Sequence, residues 1–532
     1  MDWMTVAPES TRSPRSRRGR RWTTVFLLSY LLLPYLLLCS AEGLLGARSA
    51  AAQPAAAERP NVLWIIAEDL SPDLGVSGTP QARTPRLDRL AEEGVRFTRA
   101  FTPSPVCSPS RSALMTGVYP QVIGAQDHRS HRPGDPSPHP WPLPDSIQLL
   151  TDWMRQAGYF TANVQHFPDG IRAAGAPLRG SGKTDWNFTY AGTPFDTKQW
   201  SDLEENQPFF AQVNFYETHR GGAWEDAQET VDRPADPDRV ELPPYYPDHP
   251  VVRRQWAEYL NTLSVLDEKV GAVLDLLEKE GLDENTVVVF MSDHGRATVR
   301  AKQWPYDSGL RVPLLVRWPD GLDAPAGYRN GAVTDRLVST LDVTATTMAF
   351  GDVPRPQQKT QGRVLFGPQK GPPRLWVFGG RDRGDETVDR MRTVRSRRFR
   401  YIRNFHPERP YLQTNRYKQA RYPTLWAMKK LHVEGELNEV QARFLAEERP
   451  EEELYDLAKD PHETTNLADS SAYQAILEQM RGWLDQWLRR IGDTDPAPVD
   501  SAVVRHYREK MQRLFGERVE QRRERWDLPA SE

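Results

Sequence analysis

Cysteine is nearly absent from this chain, with two in 532 residues, Cys39 and Cys107. Once an N-terminal segment carrying Cys39 is removed, no internal disulfide can form, and a single leftover thiol is the pattern of a reactive one. Net charge is also close to nil, −3 from 69 basic and 72 acidic residues. That balance excludes a global attraction to nucleic acid or any other polyanion. Long apolar runs are missing too. The stretch 25–39 is interrupted by Pro34 and falls short of the roughly 20 residues that a stable membrane span needs.

What the N-terminus does contain is ordered. Arg15, Arg17, Arg18, Arg20 and Arg21 precede the apolar stretch, and the small residues Ala47, Ser49, Ala50, Ala51 and Ala52 follow it. This is the sequence of a signal peptide over 1–50, and it predicts an exported protein with no stable membrane span after processing. Cys39, preceded by three leucines, offers lipid attachment as an alternative, although the small residue that should stand immediately before it is missing. Residues 51–59 read as a linker.

Beyond Pro60 the chain alternates strand-like and helix-like segments. Asn61-Val-Leu-Trp-Ile-Ile-Ala is a continuous apolar run ending in Glu68-Asp69, and Thr286-Val-Val-Val-Phe-Met-Ser ends in Asp293-His294-Gly295. Such runs suit central strands buried on both faces. Residues 85–94, with Leu87, Leu90 and Ala91 on one face, and 145–158 read as helices. The alternation predicts an α/β fold, a large and mostly parallel sheet sandwiched by helices. Open sheets of this kind bind ligands beyond the carboxyl ends of their strands, so two acid-tipped strands suggest a hard divalent cation, calcium or magnesium.

The most informative segment is Pro105-Val-Cys-Ser-Pro-Ser-Arg-Ser-Ala-Leu-Met-Thr-Gly117. It resembles the signature of the sulfatases. In that family the cysteine of Cys-x-Pro-Ser-Arg is oxidised to formylglycine, an aldehyde whose hydrate attacks the sulfur of a sulfate ester or sulfamate. The resemblance implies formylglycine at Cys107 and calcium as the cation, held by Glu68, Asp69, Cys107, Asp293 and His294. Glu68 departs from the family's usual aspartate. It further implies that Arg111 and Lys302 stabilise sulfate oxygens and that His219, at the end of the apolar run starting at Phe209, is the general acid. Lys302 lies in Arg300-Ala-Lys-Gln-Trp-Pro-Tyr-Asp-Ser-Gly-Leu-Arg-Val-Pro, which carries the family's Tyr-x-x-Gly and Val-Pro phrases.

One expected piece is displaced. The family's Gly-Lys-x-His pattern, which follows a helix ending in Gly-Tyr, is missing after Gly158-Tyr159, and a lysine comes only at Gly182-Lys183-Thr-Asp185. Lys183 is the candidate second sulfate-binding lysine, with Asp185 where the histidine would stand and His166 as competitor.

The ending Glu453-Leu-Tyr-Asp-Leu-Ala-Lys-Asp-Pro-His-Glu-Thr-Thr-Asn-Leu-Ala and the segment starting at Met391 look most like the heparan N-sulfatase branch. The resemblance therefore divides the chain into a catalytic domain over 60–370, a smaller α+β domain with a short antiparallel sheet over 371–498, and a charged helical tail over 499–532, expected to be exposed. His128, Arg129 and Asp382 lie in charged clusters suited to sulfates and sugar hydroxyls and are the candidate substrate contacts.

The implied partners are a sulfated carbohydrate, with N-sulfoglucosamine foremost, and a formylglycine-generating or anaerobic sulfatase-maturating enzyme. Two other readings share these residues: a phosphate or phosphonate monoester hydrolase, and an inactive module that binds sulfated glycans.

Overall fold

The computed structural model describes residues 59–128, 141–494 and 499–528. The segment expected to be a signal peptide, Cys39 and Arg129 lie outside the described residues. None of the described helices is long and apolar enough to cross a membrane.

Eight strands form the main sheet: β1 (Asn61–Ala67), β2 (Val95–Phe97), β3 (Phe160–His166), β4 (Thr197–Gln199), β5 (Phe209–Phe215), β6 (Thr286–Ser292), β7 (Leu314–Arg317) and β8 (Val333–Thr334). Their spatial order is β8-β2-β7-β6-β1-β5-β3-β4. Strands β6, β1, β5, β3 and β4 run parallel, while β7 is antiparallel to both β6 and β2. The sheet is the large, mostly parallel one that the apolar runs predict. Every residue of β1, β5 and β6 is buried. Successive side chains of β1 enter opposite cores, Leu63 and Ile65 on one face, Val62, Trp64 and Ile66 on the other, as the period of two in a strand requires.

Register makes this sheet the base of a site. Ala67 at the end of β1 pairs level with Phe215 of β5 and Ser292 of β6, so the residues that follow all three strands emerge at one edge.

Helices cover both faces. They include α1 (Pro85–Glu93), α2 (Cys107–Thr116), the 30-residue α3 (Pro250–Lys279) and α4 (Thr340–Phe350). The Asp267 carboxylate of α3 accepts from the free backbone N–H groups of Arg86 and Leu87 at the start of α1, at 3.1 and 2.8 Å. This joins the two helices through a terminus that would otherwise be unsatisfied.

The C-terminal part contains the expected antiparallel sheet, β9 (Trp376–Arg381), β10 (Met391–Ser396), β11 (Phe399–Asn404) and β12 (Glu452–Asp456), in that order. Helix α5 (Gln474–Ile491) packs on it through Leu477, Met480, Leu484 and Trp487. Arg400 of β11, fully buried, ties this sheet to the main body. It is paired with Asp307, with Glu463 at 2.6 Å and with the Pro305 carbonyl at 2.9 Å.

The tail forms α6 (Ser501–Arg525) as its charge spacing predicts, but it is not freely exposed. Val503, Tyr507, Met511 and Val519 are buried. Together with Phe515 they form a stripe with a period of four, narrow enough to be hidden among the charges, and it packs against residues 416–426.

Candidate active site

Cys107 is the first residue of α2 and is fully buried, where the helix terminus favours a negative charge. Beside it stand the acid-tipped strand ends. The ligand-type atoms of Asp69, Cys107, Asp293 and His294 all lie within 4.8 Å of one another. His294 Nε2 is 3.0 Å from Asp69 Oδ1 and 3.2 Å from Cys107 Sγ. Its Nδ1 is 2.8 Å from the Gly295 carbonyl, an acceptor that aims the other nitrogen into the cluster. Asp69 has φ of 54°, a left-handed conformation uncommon outside glycine and often found at functional positions. Its backbone N–H donates to Asp293 Oδ1 at 3.0 Å.

Three cations surround these acids. Lys302 Nζ sits 2.9 and 2.7 Å from the two oxygens of Asp69. Arg111, one helical turn after Cys107, donates from Nε to Asp293 Oδ2 at 2.9 Å and from Nη1 to Asn214 Oδ1 at 2.7 Å. Its buried Nη2 has no hydrogen-bond acceptor among the described residues. Lys183 Nζ donates to Glu68 Oε2 at 2.6 Å, whereas His166 is exposed. Glu68 therefore stands beside the four-residue cluster and not within it, held by Lys183. His219 lies at the opening, 26% exposed, with Nε2 4.0 Å from Asp69 Oδ2.

The charges set one another's protonation. Burial pushes the Cys107 thiol upward, but Lys183, Lys302, His294 and His128 outweigh it and hold the group well below its ordinary value. Burial would also raise Asp69, yet Lys302, His219 and His294 keep it below the usual carboxylate range. Burial works against a charge on His294, but Asp293, Cys107 and Asp69 overcome it and lift the imidazole to about 10. His219 goes the other way. Burial, reinforced by Lys302 and Lys183 and opposed by Asp69, drives it down to about 3.

Of the remaining candidates, His128 is buried, and one of its ring nitrogens falls within 4.8 Å of Cys107 Sγ and an Asp185 oxygen. Asp382 is tied to Arg392 Nη2 at 2.8 Å, and the carboxylate that reaches His128 is Asp385, at 3.2 Å from Nδ1. Asn214 and Asp385 belong to the constellation without having stood out in the sequence. Asn214 left a signal, an amide near the end of an apolar strand. Asp385 left only a collective one, as a member of the charged cluster that also holds Asp382; which of its acids reaches His128 is set by chain segments far apart in sequence.

The sequence model of the family called Sulfatase matches residues 60–353. The chain belongs to the sulfatase family. It is thus an enzyme of the class that hydrolyses sulfate esters. This sulfatase is 33% identical over 488 residues to an ulvan-active sulfatase of Formosa agariphila, covering 84% of this chain and 77% of that one. It is 27% identical over 484 residues to the N-sulphoglucosamine sulphohydrolase of Homo sapiens, covering 80% and 89%. Among solved structures it is similar to a 2-O GAG sulfatase, with a TM-score of 0.58 and 21% identity over 84% of this chain and 96% of that one. That last likeness is one of fold.

Proposed function

We propose that this sulfatase removes sulfate from sulfated carbohydrates, as sulfate esters or sulfamates, with formylglycine formed at Cys107 and calcium at the adjoining acids. The observation that carries the reading is the meeting of Cys107 with three cations, Arg111, Lys183 and Lys302, around a buried acidic cluster. The donor set fits the cation. Asp69 and Asp293 offer hard carboxylate oxygens, Glu68 adds a third acid at the rim, and His294 contributes one nitrogen already oriented by Gly295. Asp69, Asp293, His294 and residue 107 would hold the ion, with Glu68 beside them. Bound there, calcium and formylglycine supply Lewis acidity and an oxygen nucleophile aimed at sulfur.

The remaining work falls to the chain's own side chains. Arg111, through its orphaned Nη2, and the two lysines bind sulfate oxygens and stabilise charge that grows on them. His219, at the opening, delivers a proton to the departing oxygen or nitrogen. Burial and the lysines hold its imidazole well below its ordinary value, so its protonation must accompany the entry of the anionic sulfate. His128, Arg129 and Asp382 are assigned to the substrate, with His128 at its sulfate end beside residue 107. The likeness to an N-sulphoglucosamine sulphohydrolase and an ulvan-active sulfatase supports a polysaccharide-derived substrate, with N-sulfoglucosamine first to be tried. Full burial of Cys107 supports oxidation before folding, by a formylglycine-generating or anaerobic sulfatase-maturating enzyme. Export through the N-terminal segment completes the reading.

Hydrolysis of N-sulfated and O-sulfated sugars, and of matched phosphate esters, by wild type and Cys107→Ala tests this directly. Sulfate release by wild type alone is expected. Release by both proteins, or a preference for phosphate, contradicts it.

A further inference from the structure

His128 and Asp385 form a buried pair, 4% and 5% exposed, with 3.2 Å between Nδ1 and Oδ1. His128 comes from the segment after α2, and Asp385 from a tight turn after β9. Arg383 joins them. Its Nη1 donates to the Asp385 carbonyl at 2.6 Å and its Nη2 to the His128 carbonyl at 2.9 Å. In return the His128 N–H donates to the Arg383 carbonyl at 2.8 Å, and the Arg383 N–H donates to Asp127 Oδ1 at 3.0 Å. The guanidinium is buried, with the ring of Tyr507 from α6 4.7 Å away.

The turn itself is closed by two backbone hydrogen bonds between Gly384 and Thr387, at 2.8 and 2.9 Å. Asp385 within it has φ of 52°. A non-glycine residue held in that region implies that its surroundings fix it there. One planar fork thus sets the backbones of both partners, and the imidazole meets the carboxylate beside Cys107. In the sequence, Asp185 occupies the place of the motif's histidine; in space, His128 stands next to Asp185 and Cys107.

We propose that Asp385 is a positioning residue for His128. Its carboxylate, 3.2 Å from Nδ1, favours the proton on that nitrogen by its charge, which sets the tautomer and leaves Nε2 with the lone pair for residue 107 and the bound sulfate. The role rests on the sulfatase reading above. A purely structural tie between the two segments would change stability and leave turnover per folded molecule intact.

The test is a double-mutant cycle of wild type, His128→Ala, Asp385→Asn and the double variant on 4-nitrophenyl sulfate, with melting temperatures recorded alongside. Asp385→Asn is expected to lower kcat by about 10- to 100-fold with KM within about threefold. In the His128→Ala background it should cost less than about twofold more. A kcat within twofold of wild type, or losses that multiply, overturns the proposal. Asp385→Ser enters the same cycle if the asparagine variant does not fold.

Failure of wild type to cleave any sulfate ester would count against the functional reading alone. The tautomer then decides about the pair. In protein carrying 15N-labelled histidine, with the His128 signals assigned by their loss in His128→Ala, Nδ1 must carry the proton and Asp385→Asn must alter it. A wild-type ring protonated at Nε2 only overturns the proposal.

Discussion

Three residues of the Cys-x-Pro-Ser-Arg segment have a visible task. Cys107 begins the helix, Ser110 Oγ donates to the Asp293 carbonyl, and Arg111 spans Asp293 and Asn214 while keeping one N–H group free. His219 gives a first prediction. As the proton donor, it matters most when the leaving group is poor. His219→Ala should cost about 100-fold or more on a sugar sulfate and far less on 4-nitrophenyl sulfate; equal losses on both would remove it from that role.

His294 gives a second. With Cys107 unconverted, Asp293, Cys107 and Asp69 lift it to about 10 against its burial, so in that form it holds a proton at neutral pH and an arriving ion must displace it. Calorimetric titration of calcium into metal-stripped protein, in buffers of different ionisation enthalpy, should report release of about one proton and affinity that rises with pH. Binding without proton release contradicts this.

Asp382 gives a third. Burial, with Asp127 and Asp493 assisting and Arg392 opposing, raises it to about 7. Its folded value therefore exceeds the ordinary 3.8. The folded chain retains a proton that the unfolded chain gives up, and this contribution to stability, present below pH 3.8, is lost as pH rises to about 7. Asp382→Asn should flatten the melting temperature against pH between those limits; an unchanged slope refutes the assignment.

At the scale of elements, α6 is more than a charged appendage. Tyr507 lies under Arg383, and Phe515 meets Tyr417, whose ring neighbours His219 and Lys302. Tyr507→Ala should destabilise the protein by about 3 kcal/mol and also lower turnover in the molecules that stay folded. Thermal melts and active-site-normalised kcat check this, and turnover equal to wild type would limit α6 to stability. The period-four stripe from Val503 to Val519 was present in the sequence, but charges of both signs around it pointed to a solvated helix. The acid-tipped strands were plainer, because β1 and β6 combine an uninterrupted apolar run with an abrupt pair of polar residues. Lys183 was legible only through its motif; in the fold its amine reaches Glu68, while its competitor His166 is exposed.

For the whole molecule, the parallel centre of the sheet brings the ends of β1, β5 and β6 level, and the site follows from that register. What sequence could not supply were meetings between distant segments, chiefly those of Asn214 with Arg111 and of Asp385 with His128. Local patterns encode which residues leave a strand end, whereas side chains facing one another across the site depend on how the two sheets pack through residues such as Arg400.

The central claim is that Cys107 is the source of the nucleophile. Peptide mass at residue 107, in protein purified from a host that matures sulfatases, tests it most directly. The account predicts that active protein has lost one sulfur and two hydrogens there and gained one oxygen. Active protein with an unmodified Cys107 thiol would contradict it.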